Sequence, residues 1–516
     1  MSLFLNRKIF LFFISLVFLC LSILGPSELG ITHLILTLDY KELINIYNQS
    51  PSFFRMPNTS LRLVLFFLSM IFLFAMIIIK NIRSSPPKII SIISQYLIFL
   101  FLISFFTSDN VYNLAIFLLL ALSLIYVFNY SSNKFTYLES LFLLSYFFIF
   151  TFPFIHSFFI FTSLSEVDNF VRFLLAIPIY LLMREVRINT DTFIYFINIT
   201  ALSLGFVAAY FNLIEDVNRI RGFTSTTIIF GNISILFCIL SYLSINYFKN
   251  NTLPYKYLPY IASLSSFIAW SYSDTRGSLL ALIVSLIILM LFKASRTQFF
   301  VQCKKTSFII ISSFILIFIF SNSYTRIIEA YEISYNYYSE NTQHDHANKS
   351  TLNSIIPRLS LWKGSKNIIS DNILLGVGLN NFNRELEKQI NEKKINPIRY
   401  DYGAGDSQKR VANLTAGLNH AHNQYLDIFV KTGFFGFVTL MFFLIIHLLF
   451  FIKYYSKDNK NIYARFGITS IIMYMLFMLT HTITSHHQST LFMVMFMVIL
   501  AGLCNNFLDR KKVNEY

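Results

Sequence analysis

The segment His420-Ala421-His422-Asn423 sets two imidazoles two residues apart at the entrance to a long apolar run. An imidazole there can take a proton from a hydroxyl at the edge of a bilayer, because its ordinary pKa lies near neutrality. Three arginines stand elsewhere at the ends of apolar runs. Arg219 and Arg221 lie in Arg219-Ile220-Arg221-Gly222-Phe223, and Arg276 lies in the tight turn Asp274-Thr275-Arg276-Gly277-Ser278. A guanidinium fork matches phosphate oxygens in pairs. Arg276 also precedes the expected start of a helix, where free N–H groups favour an anion. Gathered together, the three would bind a diphosphate without a metal, and Arg358 would add a fourth. Each residue also has a plainer reading. A loop histidine can serve only as a hydrogen-bonding group, and an arginine at a helix end can snorkel to lipid headgroups. A zinc reading would draw on His344-Asp345-His346, His420 with His422, and His486-His487. None has the H-E-x-x-H spacing and no cysteine joins them on this side, so no metal site is expected.

A membrane bundle must position these groups. Apolar residues make up 55% of the 516-residue chain and charged residues 13%, a balance that a soluble protein of this size could not bury. Fourteen apolar runs are readable, at 9–24, 63–79, 89–106, 111–128, 138–161, 170–183, 193–211, 228–247, 257–270, 279–292, 308–320, 434–452, 466–479 and 491–507. In lipid the backbone must satisfy its own hydrogen bonds, so these runs are expected as helices in an all-α, polytopic bundle of roughly 12–14 spans. The run at 170–183 is the weakest, with Arg172 near its start. The run at 9–24 follows Arg7 and Lys8 and has no small-x-small cleavage site after it, so it reads as a retained anchor.

A net charge of +15 would suggest nucleic-acid binding in a soluble protein, but about half of the basic residues sit in short loops between apolar runs. With the N-terminus placed inside, the inner loops hold 21 Lys and Arg and the short outer loops only seven, namely Lys41, Arg55, Arg62, Arg172, Arg219, Arg221 and Arg276. This bias recurs at every turn and puts both termini in the cytoplasm. All the residues singled out above then face the other side. Of ten histidines, only His447 lies deep in an apolar run. The chain divides into an N-terminal membrane part at 1–320, a large outer loop at 321–432 and a C-terminal membrane part with a basic tail at 433–516. Within the loop, 355–369 and 381–391 read as helices and 401–406 as a turn-rich connector. Tyr425, Leu426 and Phe429 mark an amphipathic turn ahead of Gly433-Phe434-Phe435-Gly436.

Taken together, these pieces resemble the O-antigen ligase and O-antigen polymerase family, which also includes some bacterial protein O-oligosaccharyltransferases. The resemblance rests on Arg219 to Phe223 with Gly231 after them, on Asp274 to Ser278, and on Arg358-x-x-x-Trp362. It rests further on Gly376-Val377-Gly378-Leu379 with Phe382, and on His422-Asn423 followed by Gly433-x-x-Gly436. It implies a helical membrane glycosyltransferase of the GT-C type in the bacterial inner membrane, active on the periplasmic face and needing no cofactor. The donor it implies is a glycan on undecaprenyl diphosphate, and the acceptor of a ligase is lipid A–core. Membrane lipids are the other partners, and no nucleic acid is. The family's catalytic histidine falls on His422 and its two arginines on Arg276 and Arg219, with Arg221 in reserve. Arg221, Arg358, His420 and Asn423 are then expected to hold diphosphate or acceptor. The Thr-Arg-Gly-Ser turn is similar to that of the ligases. A polymerase joining lipid-linked repeats is the alternative, and a lipid-linked oligosaccharide transporter the further one. A transporter would carry charge at the bilayer midplane, which these spans lack.

Overall fold

The computed structural model describes residues 88–129, 135–160, 167–217, 219–248, 252, 255–275, 277–291, 328, 331–335, 349–395 and 419–514. The runs at 9–24, 63–79 and 308–320, the connector at 401–406, His33, His344, His346 and Arg276 lie outside the described residues. Each of the other eleven apolar runs coincides with one helix, and no strand occurs among the described residues.

The helices are α1 Lys88–Thr107, α2 Val111–Asn129, α3 Tyr137–Phe159, α4 Asp168–Glu185, α5 Thr190–Leu213, α6 Thr227–Phe248, α7 Leu258–Ser273 and α8 Gly277–Leu291. After them come α9 Lys349–Asp371, α10 Phe382–Asn391, α11 Gln424–Lys457, α12 Ile462–Phe477 and α13 His487–Asn514. Six stretches among the described residues are long and apolar enough to cross a membrane: Ile89–Thr107, Tyr137–Ser157, Thr190–Leu213, Thr227–Phe248, Gln424–Lys457 and His487–Phe507. The protein is therefore a multi-pass, all-helical membrane bundle.

Its two ends differ in charge. At one end the Arg187 N–H donates to Ser91 Oγ, Tyr463 to Thr190 Oγ1, and Tyr247 to the Lys460 carbonyl. Arg184, Arg187, Lys457, Lys460 and Arg465 gather at this basic end. The turns at the opposite end carry Arg172, Arg219 and Arg221. The ends thus alternate along the chain as the loop charges require, and the end poor in Lys and Arg is called the outer end below.

Among the described helices α4, α6 and α13 run through the middle. Residues 491–501 of α13 are enclosed without a break, and α13 packs against α4, α11 and α12. Phenylalanines interlock α13 with its neighbours. Phe492 stacks on Phe101 at 5.6 Å and on Phe496 at 5.4 Å, and it meets Phe105 at 4.8 Å. Such offset contacts are each worth about 0.5–1.5 kcal/mol beyond area burial. The weakest apolar run, at 170–183, turns out to be a core helix. In α4 every residue from Phe170 to Arg184 except Leu175 is buried. Its polar residues lower its hydropathy because they face protein partners rather than lipid.

Charge inside the bundle is paired. Arg184 of α4 meets Glu139 of α3 at 3.0 Å. Glu139 also accepts from Tyr180 at 3.1 Å, from Asn505 at 2.6 Å, and from the Thr136 N–H in a capping box at the start of α3. Deeper in the bundle, His447 bonds the Phe443 carbonyl at 2.7 Å and the Tyr146 hydroxyl at 2.8 Å. These groups cross-link α3, α4, α11 and α13, and none is left facing lipid.

Helices α9 and α10 are not membrane spans. Leu361, Ile368, Phe382, Leu386 and Ile395 form a second small core with Ala421 and Val430 at the start of α11. Gly433 (φ 68, ψ −165) interrupts α11 there. Its amphipathic first part belongs to this small core, and its apolar remainder enters the bundle. Gly376 docks against the interruption, and a Cβ on it would lie 2.4 Å from the Val430 carbonyl and 2.6 Å from the Gly433 nitrogen. The N–H groups of Val377 and Gly378 bond the carbonyls of Val430 and Lys431 at 2.9 and 2.8 Å, and the Phe434 N–H bonds the Ile373 carbonyl at 2.8 Å. The glycine-rich segment is thus the clamp that fixes the loop helices to the bundle.

Candidate functional site

The histidine segment is fixed from both sides. Asn423 caps α11, its Oδ1 accepting from the N–H groups of Tyr425 and Leu426 at 3.0 and 3.1 Å. His422 immediately before it takes a left-handed backbone, φ 51. That conformation is uncommon for a residue with a Cβ and costs about 1–2 kcal/mol. The cap, the bond from Trp362 Nε1 to the Ala421 carbonyl at 3.0 Å, and the bond from the Ala421 N–H to Asp427 Oδ1 at 3.0 Å hold it there.

Four histidines meet at the outer end. The rings of His420 and His422 stand edge to face at 4.4 Å. His420 lies 5.3 Å from His486, and His486 stacks flat on His481 at 4.9 Å. His481 and His486 come from the turn between α12 and α13, which is tied to the first pair by Gln424. Gln424 donates to Thr484 Oγ1 at 2.8 Å and accepts from the Thr484 N–H at 2.9 Å, and its own N–H bonds the Met478 carbonyl at 2.8 Å. Beneath the rings lies a buried ion pair between Asp427 and Lys431, 3.0 Å apart.

Burial pushes the imidazoles down in pKa, and for His420, His422 and His481 the neighbouring rings and the charge of Arg358 add to it. His420 falls to about 4, although Asp427 partly offsets the fall, and His422 falls to about 2. His481 is lowered further by burial and by the surrounding rings, and His486 is lowered mainly by burial. All four are therefore neutral near pH 7 and able to accept a proton. Among the described residues no group of three or more His, Cys, Asp or Glu is placed to hold a metal ion.

The arginine turns lie against the same end. Arg219 is exposed, and its Nε reaches the Ser273 carbonyl at 3.5 Å, while the Ile220 N–H bonds the Tyr272 carbonyl at 3.1 Å. The turn after α7 is drawn tight by Asp274 (φ 55), by Ser273 Oγ with Thr275 Oγ1 at 3.0 Å, and by Trp270 Nε1 donating to Ser278 Oγ at 2.6 Å. Gly277, next to Arg276, lies against Thr480, where a Cβ would come 2.2 Å from the threonine hydroxyl. Thr480 precedes His481, so this turn abuts the histidine cluster. Gln488 binds the arginine loop from the other side, accepting from the Ser225 N–H at 2.5 Å and donating to the Phe223 carbonyl at 3.4 Å.

The structure therefore brings His420 and His422 together with Arg358, and sets the segments that carry Arg219 and Arg276 beside them. Arg221 is exposed on the same loop, its carbonyl accepts from Thr224 Oγ1 at 2.7 Å, and its guanidinium has no hydrogen-bond partner among the described residues. Asn423, expected to hold substrate, spends its side-chain oxygen on the helix cap. Sequence reasoning counted His481 only among the outer-face histidines, placed His486 there and in the zinc reading with His487, and missed Asp427, Lys431 and Gln424. The signal for the first two was the excess of histidines outside the apolar runs.

Comparison with known proteins supplies the remaining evidence. A relative in Haemophilus influenzae, an uncharacterised protein, is 24% identical over 339 residues, covering 64% of this chain and 77% of that protein. The family described as O-antigen ligase matches residues 261–441, which begin in α7, include the Asp274 to Ser278 turn, and run through the loop helices to His422 and Gly436. Over these residues the chain is similar to the O-antigen ligase family, in agreement with the resemblance read from the motifs.

Proposed function

We propose that the protein is an O-antigen ligase of the bacterial inner membrane. It would move a glycan from undecaprenyl diphosphate to a sugar hydroxyl of lipid A–core on the periplasmic face. The observation that carries this reading is the meeting, at one end of the bundle, of a neutral imidazole pair with segments that carry arginines. Arg219 and Arg276 meet the diphosphate and stabilise the negative charge that grows on it as the glycosidic bond breaks. Arg358 lies beside the rings and adds to the positive charge that meets the diphosphate.

His422 takes the proton of the acceptor hydroxyl as that oxygen attacks the anomeric carbon. Arrival of the diphosphate raises the basicity of His422, because a nearby anion favours the imidazolium. The base is thus switched on by donor binding. Asp427, the carboxylate beneath the rings, is buried and held by Lys431 rather than offered as a nucleophile, so the reaction is a single displacement that inverts the anomeric centre, and no step calls on a metal.

A deletion strain tests the reading. Loss of a ligase leaves long glycan chains on the lipid carrier and lipopolysaccharide without O-antigen. Lipopolysaccharide capped with a single repeat would instead make the protein a polymerase, and unchanged lipopolysaccharide with lost glycoprotein would make it a protein glycosyltransferase.

A further inference from the structure

The proposed reaction leaves a proton on His422, in a site from which imidazolium is repelled. His422 feels His420, His486 and Arg358. The proton needs a way out before the next turnover, and the packing of the rings offers one. His422 touches His420, and His420 touches His486. Asp427 joins the two chain segments that carry them. Its Oδ1 accepts from the N–H of Ala421, between His420 and His422, and its Oδ2 lies 3.5 Å from the hydroxyl of Ser485, next to His486. The carboxylate is 2% exposed and held in place by Lys431.

We propose that His486 and Asp427 form a proton exit for His422, by way of His420. This rests on the glycosyl-transfer reading above. In the chemical step the acceptor O–H bond breaks and its proton passes to the free nitrogen of His422. The new C–O bond forms as the bond from the anomeric carbon to the diphosphate oxygen breaks, and the electron pair leaves on the diphosphate. The imidazolium on His422 then hands its proton to His420 and on to His486, which is partly exposed and releases it to water. Asp427 favours the cation on His420 and on His486, and it does not act on His422. Transfer from His422 to His420 therefore carries the proton toward the Asp427 carboxylate and away from the reacting centre. His481, enclosed behind His486, bounds the path on its far side. His486 and Asp427 touch no substrate and are positioning residues.

The full-length protein in lipid nanodiscs, with a polyprenyl-diphosphate glycan donor and a lipid A–core acceptor, tests this. His486→Gln should lower kcat about tenfold at neutral pH, a fraction of the roughly hundredfold or more that a general base supplies. KM for both substrates should stay within about twofold, since the binding groups are untouched. Added imidazole should restore the rate by accepting the proton from His420. Asp427→Asn should show the same pattern wherever it folds.

Ring titrations followed by NMR give a readout independent of turnover. His486→Gln should raise the pH at which His420 protonates, because one repelling neighbour is gone. A wild-type kcat in His486→Gln, or a His420 titration unmoved by it, overturns the exit. If the titrations shift as expected but the wild-type protein transfers no glycan from the polyprenyl donor, the glycosyl-transfer reading fails, and the coupled ring cluster survives it without a reaction to serve.

Discussion

Gly277 and Thr480 touch so closely that a single methyl group on the glycine would lie 2.2 Å from the threonine hydroxyl. This contact joins the turn that contains Arg276 to the segment that contains His481, over two hundred residues later. Gly277→Ala should therefore push the turn away from the histidines and cost about 1–3 kcal/mol by overpacking. Thr480→Gly in the same chain should recover most of the loss. Thermal unfolding in detergent and glycan transfer by the single and double variants check both statements.

His422→Ala should lower transfer about hundredfold or more while the protein still inserts and folds. Arg219→Ala should cost about 10²–10³ in kcat if its guanidinium meets the developing charge. Arg221→Ala should stay within about threefold of wild type, because among the described residues only the Arg221 backbone is engaged, and loss of an exposed charge has small effects. A reversal of the two arginine results would transfer the role to Arg221. Measured kcat for the three purified variants decides this.

Asn423→Ala should remove the cap of α11 at a cost of about 1 kcal/mol and release His422 from its left-handed backbone. Asn423→Asp and Asn423→Ser should keep most of the stability, since both can accept from the same N–H groups. If Asn423→Ala changes KM for the acceptor without lowering the melting temperature, the side chain meets substrate instead.

The buried rings also fix a pH dependence. His420 has a folded-state pKa near 4 and His422 near 2, both depressed below the ordinary 6.5. Above pH 6.5 neither the folded nor the unfolded chain protonates them. Between about 6.5 and 4 the unfolded chain takes up protons that the folded one refuses, so stability falls as pH falls through that window. Replacing His420 by Gln should flatten the fall. Melting temperatures at a series of pH values, in wild type and variant, test it.

The Glu139–Arg184 pair yields one more expectation. Glu139→Ala strands a buried guanidinium and should destabilise the bundle by about 3–5 kcal/mol. The double change Glu139→Leu with Arg184→Met removes both charges and should be far milder. Denaturation of the two variants in the same detergent compares them.

Much of the architecture was readable because lipid imposes a simple rule: apolar runs become helices, and basic loops stay on one side. Both loop helices and the break at Gly433 were also legible, from an amphipathic turn leading into glycine. What could not be read was enclosure. The run at 170–183 looked weak because Arg172 stands near its start, yet that arginine bonds the Asp168 carbonyl, Asn169 and His487. The same blindness applied to the site. His420 and His422 announced themselves by spacing, whereas His486 lies more than sixty residues away and enters only through packing. Asp427 resembled an ordinary first-turn acid of a helix, and nothing local distinguishes one that bridges two distant segments.

The enclosure of α13 bears on how the protein is made. A helix surrounded by protein has no lipid-facing side to lean on while its neighbours are absent, and every helix that surrounds it among the described residues precedes it in the chain. The earlier helices must therefore leave a slot open, and α13 must slide in and close it. Only then do His486 and Gln488, at its start, reach His420 and the arginine loop, so the site is not assembled until α13 has entered the bundle.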